Sequence, residues 1–182
     1  MTRFLSREVY GEIDPIALER AAERGTAVHQ ATEQLDKTGT VTVSEEYSGY
    51  LDAYCKFRDE HDVKWELIEH PVVGFNSALG NGPMYAGTID RYGTVDGERC
   101  IVDIKTSKTI SKKHMVMYSV AQTLYYMALD CEQPVDKLYI LHLKPNGEYK
   151  LINLPFREPE AVSCILLHNA LRAASPKKKK KK

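Results

Sequence analysis

Three charged residues in the stretch GTIDRYGTVDGERCIVDIKT (87–106) converge if it folds as a hairpin: Asp90, Asp103 and Lys105. Asp96-Gly97 between two alternating runs is the strongest local signal for a two-residue type I′ turn. In that register Val95 faces Glu98, Tyr92 faces Ile101, Asp90 faces Asp103 and Thr88 faces Lys105. Directly opposed residues share a face, with Cβ atoms roughly 4.5–5.5 Å apart, and like charges so placed repel. Two carboxylates at that distance offer a seat to a hard divalent cation such as Mg²⁺, which takes oxygen ligands and removes the repulsion. Lys105, two residues from Asp103, projects the same way. It could orient a water or steady charge developing on a phosphate oxygen, so the trio is a minimal set for metal-assisted phosphodiester hydrolysis. The opposite face, with Ile89, Val102 and Ile104, suits a buried sheet surface. On the hairpin alone a second reading stands beside this one: a solvated hairpin with ordinary surface charges and a turn that shifts the register.

The elements around the hairpin can be read from periodicity and punctuation. Asp14-Pro15 opens a helix, with Asp as N-cap and Pro at its first position; Leu18, Ala21, Gly25, Val28, Thr32 and Leu35 follow at helical spacing. That helix ends near Lys37-Thr38-Gly39, and Ser44 caps a second one through about Glu60. Strands are expected over Val63 to Phe75, in the hairpin, and over Lys137 to Leu143 and Tyr149 to Leu154 across Pro145-Asn146-Gly147. A helix over roughly Met115 to Leu129 separates the hairpin from that later pair, and a last one runs from about Glu158 to Ala173. The order implies an α/β or α+β fold, a central mixed β-sheet flanked by helices.

Composition narrows the class. A chain of 182 residues suits a single domain, expected over 1–175, and 43% apolar with 27% charged residues is globular. No apolar run has the length of a membrane span, and the start MTRFLSREVYGEID is too charged for a secretory signal. Four scattered cysteines, Cys55, Cys100, Cys131 and Cys164, suggest neither a zinc site nor a disulfide framework, so a reduced cytoplasm is the expected setting. The net charge of zero conceals six terminal lysines, whose removal leaves 19 basic against 25 acidic residues. Residues 176–182 are expected to form a disordered poly-lysine tail.

Further along the chain, His29 lies on the first helix one turn beyond Gly25, whose missing side chain would let the helix approach the sheet closely. Gln122 and Tyr126 sit one turn apart on the third helix, in line with Tyr118. Lys108, Lys112 and Lys113 punctuate TSKTISKKHM, a basic loop in an acidic body where phosphates could dock. Each has a bland counterpart: a core histidine, an aromatic core stripe, a solvated loop.

Taken together, Gly87-Thr-Ile-Asp90, then Ile101-Val-Asp103-Ile-Lys105, with RGTAVH (24–29) upstream and Gln122-x-x-x-Tyr126 downstream, resembles the PD-(D/E)XK nuclease superfamily, specifically its RecB-like exonuclease branch of phage and bacterial type. Order and spacing match over roughly residues 15 to 130. Ile89 replaces the proline of the name, a change common in this branch. The resemblance implies a restriction-endonuclease-like core and a metal-dependent deoxyribonuclease, an exonuclease by expectation, in DNA recombination, repair or phage DNA metabolism. It implies Asp90, Asp103 and Lys105 as catalytic residues, with His29, Asp90, Asp103 and the Ile104 carbonyl as metal ligands. Glu69 is a possible additional acidic ligand; its bland counterpart is a strand-end surface carboxylate. Gln122, Tyr126 and the three loop lysines would contact DNA.

Mg²⁺ or Mn²⁺ is the implied cofactor, and the imidazole favours Mn²⁺ at least equally. The cysteines lack the arrangement of the branch's iron–sulfur members, so no cluster is expected. No Walker motif is present, so any helicase or recombination protein would be a separate partner, in a bacterial or phage-infected cell. A nucleic-acid-binding module that keeps the fold and has lost turnover is the alternative.

Overall fold

Asp14 caps helix α1 (Pro15–Thr38) through a hydrogen bond from the Ile16 amide to its carboxylate, and Gly39 ends it in the left-handed conformation, φ 74°. Helix α2 (Glu45–Glu60) follows, then strands β1 (Val63–Phe75), β2 (Pro83–Val95) and β3 (Glu98–Lys105), helix α3 (Lys112–Ala128), strands β4 (Lys137–Leu143) and β5 (Tyr149–Leu154), and helix α4 (Glu158–Ala174). The computed structural model describes residues 14–75, 83–129 and 134–174; Cys131 and the lysine tail lie outside them. Helix α3 begins three residues before its expected start. Ser111 caps it by accepting from the His114 amide while the His114 ring accepts from the Ser111 amide, a capping box with histidine in the usual place of Glu or Gln.

The five strands form one mixed sheet in the order β1-β2-β3-β4-β5, antiparallel except for the parallel β3–β4 pair that α3 connects. Helices α1 and α2 cover one face, where Val28, Tyr54 and Phe57 meet Val102, Ile104 and Leu141. Helix α3 covers the other, where Met117 and Tyr118 meet Ile89, Tyr92, Ile101 and Ile140. Helix α4 lies on α3 through Val120, Leu124, Ala161 and Ile165. The α/β architecture, a central mixed sheet flanked by helices, is therefore as the sequence implies. Among the described residues no helix is long and apolar enough to cross a membrane, and Cys55, Cys100 and Cys164 are free thiols.

The hairpin departs from expectation where it matters. Asp96 and Gly97 take positive φ, 52° and 82°, as a type I′ turn requires, and Val95↔Glu98 and Tyr92↔Ile101 pair as counted. The ladder then ends at Arg91↔Val102, so Asp90↔Asp103 and Thr88↔Lys105 are not backbone pairs. Strand β2 stays with β1, and β3 stays with β4. The reason is that the Asp90 carboxylate, rather than a backbone carbonyl, accepts the Ile104 N–H at 2.7 Å. Alternation along β2 breaks at this point. Ile89 and Tyr92, three apart, both face α3, so Ile89 does not share the face of Val102 and Ile104 as expected.

Candidate metal centre

Beyond the end of the β2–β3 ladder, α1 brings His29 over the sheet. Its Nδ1 lies 3.4 Å from Glu69 Oε1 and 3.7 Å from Asp90 Oδ2, and one ligand atom from each of the three residues falls within 4.8 Å of the others. Two ligands each about 2.1 Å from one ion sit at most about 4.2 Å apart, so a small contraction would place all three on a single hard cation. The donor set, two carboxylates and an imidazole, suits Mn²⁺ or Mg²⁺. On the other edge of the His29 ring, Nε2 is 3.1 Å from the Ile104 carbonyl. A histidine that donates one N–H to a carbonyl turns the lone pair of its other nitrogen outward, the usual posture of a metal-ligating imidazole. In this posture Ile104 orients His29, a different role from the direct ligation expected of its carbonyl.

Glu69 is the acidic residue that the sequence placed least firmly, and the structure brings it fully into the group. Its backbone takes φ 49°, unusual for a residue with a side chain, in the segment of β1 alongside Asp90. Asp103 stands outside the trio. Its Oδ2 pairs with Lys105 Nζ at 2.5 Å, and Lys105 also lies over the Tyr118 ring at 5.2 Å. The two acidic residues of the hairpin nevertheless feel each other. Burial and then the Asp103 charge push the Asp90 carboxyl up to about 6. For His29, burial pulls the imidazole down, but the Glu69 hydrogen bond and the Asp90 charge outweigh it, and the net direction is upward. Burial likewise opposes the charge on Lys105, yet Asp103 and Asp90 raise it overall, so the lysine remains an ammonium.

A buried network that the sequence reading did not find supports this centre. The Arg91 guanidinium is fully buried and donates to Asp36 at 2.7 Å, Thr32 at 3.1 Å, Glu69 at 3.3 Å and the Asp90 carbonyl at 2.7 Å. Asp36 also accepts from Tyr54 at 2.6 Å and from Arg58, and Tyr54 in turn accepts from the Trp65 indole. Burial works against an ionised Glu69, but His29 and Arg91 more than compensate and hold its carboxyl below the usual range. The signal was a charged residue one place after Asp90, in a run where Ile89, Tyr92 and Val95 are core-facing; buried arginine requires carboxylate partners.

Helix α3 presents a different face from the one expected. Gln122 is buried and donates to the Tyr139 carbonyl, while Tyr126 meets Phe156 edge-on at 5.4 Å. Neither borders the centre. Tyr118 and Tyr125 do, seven residues apart, with Tyr125 close over Gly87, where an added Cβ would stand 2.3 Å from the ring. Lys108, Lys112 and Lys113 are exposed at the β3–α3 connection and the start of α3.

Between α1 and α3, over the end of β3, opens a cavity of about 510 Å³ that reaches His29, Asp103 and Lys105. Neither a protein-family model nor a curated protein matches the chain. Among solved structures, one described as the crystal structure of SSO0001 is similar at 15% identity, covering 96% of this chain and 85% of that one with a TM-score of 0.41.

Proposed function

We propose that the chain is a divalent-metal-dependent deoxyribonuclease of RecB-like type that degrades DNA from its ends. The observation that carries this reading is the convergence of His29, Glu69 and Asp90, with His29 also lining a cavity that reaches Asp103 and Lys105. His29, Glu69 and Asp90 would hold Mg²⁺ or Mn²⁺, with Asp103 within electrostatic reach. When bound, such an ion polarises a phosphoryl oxygen and makes a hydroxide-like nucleophile available at neutral pH.

The chain's own groups supply the rest. Ile104 fixes the His29 ring, and Arg91 fixes Glu69 and the backbone of Asp90. Lys105, kept cationic by its acidic neighbours, donates hydrogen bonds rather than taking protons, so its role is to orient water and steady charge growing on the phosphate. The three lysines, exposed at the β3–α3 connection and the start of α3, would meet the sugar-phosphate backbone without reading bases.

The test compares end-labelled linear DNA with covalently closed circular DNA, in Mg²⁺ and in Mn²⁺, with Asp103→Ala as control. Degradation of the linear form alone, lost in the variant, is expected. Equal activity in Asp103→Ala would overturn the assignment of the site, and cleavage of the circle would overturn the end requirement.

A further inference from the structure

We infer that the cavity between α1 and α3 is a nucleobase site that receives one unstacked base of the strand whose phosphate lies at the metal centre, and that Gly25 keeps it open. The inference rests on the nuclease reading and adds the part of the substrate that the metal centre does not touch.

The cavity, about 510 Å³, falls within the range of about 300–1,000 Å³ typical of small-ligand sites. One wall is small and apolar, from Ala21, Ala22 and Gly25 of α1; the facing wall carries Met117, Tyr118 and Tyr125 of α3. A cavity of small apolar residues with the half-buried Tyr125 ring on one side suits a flat heterocycle, because stacking on an aromatic face tolerates any base. Ser107 also lines the cavity, and its buried hydroxyl has no hydrogen-bond partner among the described residues. Arg24 and Lys105, which also line the cavity, bring positive charge to it for a neighbouring phosphate.

Gly25 is the second, independent observation. Glycine in the middle of a helix is destabilising, so it needs a reason. A close approach is the reason expected from the sequence, and it fails: a Cβ at Gly25 would meet nothing within 4 Å among the described residues. The backbone supplies no reason either, because Gly25 is helical with no positive φ. What its missing side chain preserves is the empty volume itself. A base inside a duplex is stacked and paired, so only a single-stranded or frayed end could fill this volume without the cost of unstacking.

The experiment measures binding of a single-stranded oligonucleotide carrying 2-aminopurine to the full chain in Ca²⁺, for wild type and the series Gly25→Ala, Gly25→Leu and Gly25→Phe. The same oligonucleotide with an abasic site at the probe position is the partner ligand. Quenching of the aminopurine on wild type is expected, with affinity falling as the side chain grows, by about 5- to 100-fold at Gly25→Phe. Mn²⁺ binding by calorimetry should stay at the wild-type value throughout the series, since Gly25 holds no ligand. The abasic oligonucleotide should bind wild type as weakly as the intact one binds Gly25→Phe. Wild-type affinity in Gly25→Phe, or equal affinity of wild type for intact and abasic strands, overturns the base site. Should Gly25→Phe not fold, Ala21→Leu narrows the same cavity from the previous turn and is read the same way. Failure of wild type to cleave any DNA would instead remove the nuclease reading, a result that the binding series in Ca²⁺ does not depend on.

Discussion

Replacing Asp90 by asparagine should make the metal-free protein more stable and at the same time destroy its metal centre. Asp90 is buried, and its carboxyl is lifted from an ordinary 3.8 to about 6 by burial and by Asp103. At about 1.4 kcal/mol per pH unit, ionised Asp90 therefore costs the metal-free fold about 3 kcal/mol at pH 8. Asparagine keeps the shape and the carbonyl oxygen that accepts the Ile104 N–H, and it carries no charge. Below pH 3.8 Asp90 is protonated in both the folded and unfolded chain, so the variant has no advantage there. Between 3.8 and about 6 the folded wild type keeps a proton that the unfolded chain has lost, and its stability declines as pH rises. Above 6 the deficit is constant. Urea unfolding in chelator at pH 4 and pH 8 measures this, and a gain of about 3 kcal/mol corresponds to about 6–12 °C in Tm for a chain of this size. Saturating Mn²⁺ should then reverse the order, because it stabilises wild type by mass action and does nothing for Asp90→Asn. An advantage that is absent at pH 8, or the same at both pH values, would refute the account of Asp90 as a buried carboxylate strained by its surroundings.

Three further outcomes follow from the same geometry. Arg91→Met should lower stability by about 3 kcal/mol or more in urea unfolding, since it strands Asp36 in the core with only Arg58 and Tyr54, and Arg91→Lys should recover only part of that because one ammonium cannot span four acceptors. Because Asp90 and His29 both hold protons more tightly than usual, Mn²⁺ affinity should rise from pH 5 to pH 7 with net proton release, visible in calorimetry as a heat that depends on the buffer. Lys105→Met should lower cleavage by about 100-fold or more while Mn²⁺ affinity is maintained or improved, since it frees the Asp103 carboxylate from its ion pair.

How far the sequence led depended on whether a feature was local. The nine elements among the described residues, the type I′ turn at Asp96-Gly97 and the register out to Tyr92↔Ile101 are set by spacing and turn chemistry, and they were legible. The register stopped being legible at Asp90, where a side chain takes the place of a backbone acceptor; counting residues cannot anticipate that exchange. Helical spacing correctly put Gln122 and Tyr126 on one stripe of α3. The rotation of that stripe relative to the sheet is decided by tertiary packing, and it turned both residues away and brought Tyr125 in. The Asp36–Arg91 pair joins residues 55 apart in sequence, and Arg91 bonds directly to Glu69, whose φ of 49° no residue-type preference would suggest.

The bond from the Ile104 amide to the Asp90 carboxylate gives the centre a spectroscopic handle. Its proton is held by a group whose charge changes when Asp90 is protonated or takes a cation, while the amides on either side are held by ordinary carbonyls in the sheet. In a ¹⁵N-labelled sample the Ile104 resonance should therefore move with pH through about 6 and move again on titration with a diamagnetic divalent ion, ahead of its neighbours. A single backbone signal would then report the occupancy and protonation of the site in the absence of any substrate.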